Sequence, residues 1–209
     1  MKELASGAAV AITVFGTVPY AIGMTRGQIR PHAFTWLVWT ATTLIAFVGQ
    51  LVGGGGIGAA AAGASALVGM AISGYAFWRG DRSYTQLDWL CLAGASVALV
   101  AWAVSGSPLT AVILIAVVDA IGAVPTIRKA FLKPYEEGIS PFILANLKWL
   151  LAIYALDHLN ALTLLFPATT TAVNTAIISV VLVRRAQLQG RAGQRSRMTP
   201  EDELRLGRG

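Results

Sequence analysis

The sequence predicts an all-α integral membrane protein with seven transmembrane helices. They fall in a 3+1+3 arrangement of two parallel three-helix repeats, with the N-terminus outside and the C-terminus inside. Three observations carry that expectation. The chain of 209 residues is 56% hydrophobic and only 12% charged, too apolar for a soluble domain of this length. Its apolar runs match the ~20 residues a helix needs to cross a bilayer. Finally, one pattern occurs twice, 106 residues apart: Phe15-Gly16-Thr17-Val18-Pro19-Tyr20 and Ile121-Gly122-Ala123-Val124-Pro125-Thr126. Each copy places a Gly three residues before a Pro near a helix end, then a short basic loop, then a hydroxyl residue (Thr35 or Ser140) opening a new apolar span. A helix-loop-helix unit repeated in parallel points to two halves around a shared axis, an arrangement that commonly surrounds a substrate path.

Taken in order, residues 1–80 hold the first repeat, with spans at roughly 5–24, 32–52 and 58–78. Lys2 precedes the first span as in a signal peptide, but no small-residue cleavage site stands before Pro19, so the segment is kept as a span. Gly53–Gly56 leads into the third, whose Gly58, Ala59–Ala62, Gly63, Ala64 and Ser65 leave a nearly bare surface for close helix packing. Residues 81–107 hold a linker helix at roughly 87–104, where Asp88 suits a helix N-terminus. Parity requires this linker, because two three-helix units in one orientation need an odd number of crossings between them. Residues 108–184 form the second repeat, with spans at roughly 108–127, 140–157 and 160–183. Asp157-His158 reads as a turn or cap at the end of the sixth. The remainder, 185–209, reads as a basic flexible cytoplasmic tail with a helix-start signature at Thr199-Pro200-Glu201-Asp202.

Charge fixes the orientation. With the N-terminus outside, 14 of the 16 Lys and Arg fall on the cytoplasmic side, leaving Lys2 outside and Lys148 within a span. Trp36, Trp39, Trp78 and Trp89 gather near cytoplasmic helix ends as interfacial anchors. The net charge of +6 is therefore read as topology and lipid attraction, not nucleic-acid binding. A single cysteine, Cys91, excludes a disulfide framework, and His32 and His158 lie in different loops. No metal, cofactor or enzymatic constellation is expected. The expected location is the bacterial inner membrane, with monomer and homo-oligomer both open.

The stretch Pro125-Thr-Ile-Arg128-Lys129-Ala-Phe-Leu-Lys133-Pro-Tyr-Glu-Glu-Gly138-Ile-Ser140 resembles the PQ-loop motif of the SWEET and SemiSWEET sugar transporters. Pro19 to Thr35 is similar to a degraded copy. The resemblance covers residues 1–185 and implies alternating access, with Pro19 and Pro125 as hinges and substrate between two three-helix bundles. Tyr20 and Thr126 stand where the motif has Gln, and Pro167-Ala168 stands where Pro-Asn is frequent, so sugar specificity does not follow.

Asp119 and Lys148 are the two normally charged side chains deep within the spans. A charge at mid-membrane costs at least about 2.5–3.5 kcal/mol, so each should face the interior and have a partner. Both lie about eight residues, roughly 12 Å, from the cytoplasmic side, a match that allows an ion pair. Asn174 falls at a similar depth and Asn146 nearby. The first half offers neutral counterparts: Thr13, six before Pro19 as Asp119 is six before Pro125, then Thr42, Thr43 and Ser73. This polar layer, Asp119, Lys148, Asn174, Asn146, Thr13 and Thr43, is the candidate substrate or proton-coupling site. A buried pair that only fixes helix register is the competing explanation. The expected function is transport of a small polar solute, whether sugar, amino acid or other zwitterion, with proton coupling open. The alternatives are a non-transporting scaffold or receptor and, more remotely, a retinal protein using Lys148 and Asp119.

Overall fold

A computed structural model of the chain describes residues 1–31, 33–80, 86–136 and 138–195. Among these residues the protein is all-helical: α1 (Lys2–Thr25), α2 (Ala33–Val52), α3 (Ala60–Arg79), α4 (Gln86–Ser105), α5 (Pro108–Gly122), α6 (Val124–Leu132), α7 (Ser140–Ala155) and α8 (Ala161–Arg195). Short 3-10 turns at Gly56–Ala59 and Pro134–Glu136 precede α3 and follow α6. Five segments are long and apolar enough to cross a membrane: Lys2–Thr25, Thr35–Val52, Gly56–Arg79, Pro108–Leu132 and Ala161–Gly190. Leu92–Ser105 and Ser140–Ala155 are apolar but shorter. Large apolar side chains such as Phe15, Leu67, Val104 and Leu150 are more than half exposed, as lipid-facing residues are.

Local chemistry sets the helix ends. Pro108 and Pro141 occupy first-turn positions, where the missing N–H removes no helical bond. Gly80 ends α3 in an extended conformation, its N–H still reaching the Ala76 carbonyl. Two boundaries differ from expectation, at the fifth span and at the tail. The fifth span breaks at Ala123, and α6 carries the chain on to Leu132. Pro125 has no N–H to offer the Ile121 carbonyl, so the helix is interrupted just ahead of it. Pro19 does not interrupt α1, which runs through it to Thr25. The expected flexible tail instead begins as helix: α8 continues to Arg195, through Gln, Ala, Leu and Arg residues of good helical propensity. The signature at 199–202 lies outside the described residues, as do His32 and Arg82.

The packing has a regular plan. In the first half α3 packs against both α1 and α2, and in the second α8 packs against both α5 and α7. Across the halves, α1 meets α7, α2 meets α5, α2 meets α8 and α3 meets α7. Exchanging α1 with α5, α2 with α7 and α3 with α8 maps every one of these pairs onto another. Helix α4 packs on α5 and α2.

The main core joins the two halves and is built largely of alanine. Ala9, Ile45, Ala46, Ala61, Ala62, Ala98, Ala111, Ile115, Trp149, Ala152 and Phe166 form one buried cluster. Such small residues let helices approach closely, where packing replaces the hydrophobic effect. Trp149 and Phe166 meet edge to face at 5.7 Å, a geometry worth about 0.5–1.5 kcal/mol beyond burial. These residues lie toward the ends of their helices nearest the loops at 53–59 and 156–160. A second cluster, around Ala130, Ile177 and Val181, belongs to the second half alone and lies at the opposite end.

Candidate functional site

Asp119 and Lys148 stand on α5 and α7, and each finds a hydroxyl. Thr170 Oγ1 on α8 donates to Asp119 Oδ2 at 3.2 Å. Lys148 Nζ donates to Ser65 Oγ on α3 at 3.1 Å, and Ser65 passes its own proton to the Ala61 carbonyl at 2.8 Å. The lysine ammonium also lies 4.2 Å from the centre of the Trp149 ring. The direct ion pair allowed by their matched depths is not formed. The reason is directional: Asp119 turns toward α8 while Lys148 turns toward α3. An ion pair that does form within 4 Å joins Lys2 to Asp157, at 3.3 Å.

Asn174 is 8% exposed, and its Nδ2 has no hydrogen-bond partner. It follows Thr170 by four residues on α8, so the two share a face, the one Asp119 contacts. Asn146 is placed differently. It precedes Lys148 by two residues, about 200° around the helix, and donates to Thr175 Oγ1 at 2.9 Å. The structure thus separates Asn146 from the lysine with which depth alone had grouped it. In the first half Thr13 is buried, and its hydroxyl is spent on the Ala9 carbonyl of its own helix at 2.9 Å. Thr42 likewise bonds Trp39 O at 3.1 Å, and Thr43 beside it is partly buried. Thr40 and Ser73 share a hydrogen bond of 3.0 Å. This bond ties α2 to α3 as Asn146–Thr175 ties α7 to α8, and Thr40 and Asn146 stand as far apart in the chain as Pro19 and Pro125.

The loop end of the molecule carries bonds between halves that the sequence did not suggest. Lys2 Nζ donates to the Leu156 carbonyl at 2.6 Å and pairs with Asp157 at 3.3 Å. Asp157 N–H donates to Gly55 O at 3.2 Å, and Asn160 Nδ2 donates to Gly53 O at 2.8 Å. Within this assembly Gln50, 1% exposed, donates from Nε2 to Thr163 O at 3.2 Å. Two glycines make the fit possible. Gly56 adopts φ +58° against the Asp157 carboxylate, a backbone region glycine enters without steric cost. An added Cβ on Gly58 would stand 2.5 Å from the Leu156 nitrogen. Asp157, expected only to cap a turn, is thus an inter-half contact.

At the opposite end the bonds run within a half. Tyr75 donates to Met24 O at 2.7 Å, and Trp36 Nε1 donates to Tyr20 Oη at 3.0 Å. Arg184 and Arg185 donate to the Phe131 and Pro134 carbonyls, each at 3.1 Å, clamping α6 and the turn after it to α8.

The charges and Asn174 were legible because such side chains are rare in apolar helices. Ser65 and Thr170 were not singled out, since membrane helices hold many hydroxyls that merely bond their own backbone. Among the described residues no group of three His, Cys, Asp or Glu could hold a metal. Comparison of the chain with protein-family models, with curated proteins and with solved structures finds no match.

Proposed function

We propose that this chain is a membrane transporter that moves a small polar solute by alternating access between two parallel three-helix bundles. The observation that carries the reading is the exchange-symmetric packing of the helices, with a lysine bonded across the halves to Ser65 and an aspartate of the second half bonded to Thr170 rather than to that lysine. In this reading α1–α3 are the first bundle, α4 the linker, and α5–α8 the second, with α5 and α6 as one broken span. The N-terminus is outside and the C-terminus inside a plasma membrane. The resemblance to the PQ-loop transporters, the basic loops on one side and the break ahead of Pro125 agree with it. The bonds around Lys2, Asp157, Gly55 and Asn160 then hold the outer end shut, so the state described is closed outward.

Counterflow in liposomes tests this reading. Protein reconstituted with a panel of unlabelled sugars and amino acids inside is given trace labelled counterparts outside. Accumulation of one solute above protein-free liposomes, reduced at least about tenfold by Asp119→Asn, is the expected result. No accumulation with any solute, together with full tolerance of Asp119→Asn folding, would leave the repeats as the architecture of a scaffold or receptor.

A further inference from the structure

We infer that the bound solute is a small zwitterion, an amino acid type of molecule, whose carboxylate is taken by Lys148 and the Asn174 amide and whose ammonium is taken by Asp119. The inference names the solute class of the proposed path and rests on that reading for transport, though not for binding. It starts from an imbalance. Opposite charges within an apolar helical bundle normally meet, because each is costly to leave alone in a medium of low dielectric. Here each has one neutral hydroxyl partner, Thr170 for Asp119 and Ser65 for Lys148, with the Trp149 ring beside the lysine, and no bond joins the two charges.

An independent observation points the same way. Asn174 Nδ2 is a buried donor with no partner in the structure. It stands one helical turn from Thr170, on the face that meets Asp119. A buried donor left unmade costs more than a typical bond contributes, so an acceptor supplied by a ligand would satisfy it. The site therefore offers an ammonium and an amide N–H to an anion, and a carboxylate to a cation.

The charge pattern selects among solutes. A sugar would cover both charged groups with hydroxyls and leave their charges uncompensated. A simple carboxylate would meet Lys148 but bring a second negative charge near Asp119. A simple amine would do the reverse with Lys148. A molecule carrying both charges satisfies both ends. Ser65 extends the site into the first half, because its hydroxyl is held by the Ala61 carbonyl and points its lone pairs toward Lys148. A solute that draws Lys148 away from Ser65 would loosen a contact between α7 and α3, linking occupancy to the boundary between the halves.

The experiment is a thermal-shift series on the full chain in detergent. The probes are the twenty protein amino acids singly, propionate, propylamine and glucose. At least one amino acid is expected to raise the melting temperature, while propionate, propylamine and glucose leave it unchanged. Asp119→Asn should lose the amino-acid shift and gain one with propionate, because removing the carboxylate removes its repulsion; a misfolded variant would gain nothing. Lys148→Gln should lose the amino-acid shift as well. A shift with glucose, an amino-acid shift that survives Asp119→Asn, or no amino-acid shift in the unaltered protein would each overturn the inference. Liposome flux separates the two readings. Glucose flux without amino-acid binding keeps the transporter and removes this site, whereas amino-acid binding without any flux keeps the site and removes the transporter.

Discussion

At the scale of single residues, the buried groups fall into those with partners and those without. Asn174 Nδ2 has none, so it contributes desolvation cost and no compensating bond. Asn174→Leu is expected to leave stability unchanged or raised by up to about 1–3 kcal/mol of relieved cost and, under the proposed transport, to cut uptake at least about tenfold. Thermal unfolding beside counterflow would read both. A lower melting temperature would mean that the amide is structural. Gln50 is a mixed case: Gln50→Ala removes the Nε2 bond to Thr163 O and leaves a cavity, but it also removes a buried Oε1 that has no partner, so the net loss is expected at about 1–3 kcal/mol. The sequence exposed Asp119 and Lys148 by their rarity. It could not expose their separation, because depth along a helix says nothing about the direction in which a side chain turns.

Among elements, the two copies of the repeat have diverged in a way the motif does not record. Both carry a proline three residues after a glycine, yet α1 runs through Pro19 while the fifth span stops at Ala123. Pro125→Ala restores an N–H for the Ile121 carbonyl. It is expected to let α5 and α6 fuse, stabilising the span by up to about 3 kcal/mol and, under the proposed alternating access, slowing uptake. Unchanged uptake would remove Pro125 as a hinge. A second prediction concerns the 3-10 turn that leads into α3. Gly58→Val would drive a Cβ against the Leu156 backbone, which cannot step aside as a flexible side chain can. A loss of about 1–3 kcal/mol is expected from overpacking, readable as a lower melting temperature. The spans themselves were legible because apolar run length and helix rise leave little choice. The break at Ala123 and the continuation of α8 to Arg195 were not, since each depends on local bonds competing with a uniform apolar pattern.

For the whole molecule, the ties between halves gather at one end. Lys2, Ser6 and the 53–59 loop meet the 156–160 loop and one another, Ser6 Oγ donating to Ile57 O at 2.6 Å. Cysteines introduced at Lys2 and Asp157, in a Cys91→Ser background, are expected to be joined by a short bis-methanethiosulfonate reagent and, under the proposed transport, to stop counterflow, with recovery on reduction. Transport that continues with the cross-link intact would show that this end need not open. The sequence pointed to paired halves through a spacing of 106 residues, but not to this asymmetry. Glycine-rich loops and a lone terminal lysine have no recognisable signature until they are brought together.

Helix α4 has a consequence of its own. It follows the first three helices in the chain, yet it packs on α5 and α2. A polypeptide divided between Gly80 and Gln86 would keep α1–α3 in one piece and α4–α8 in the other, with every surface between them intact. Produced as separate fragments in the same cell, the two should associate in the membrane, and an affinity handle on either should recover both. Continuity of the backbone would then be dispensable for assembly, and each fragment could be labelled on its own for spectroscopy of the junction.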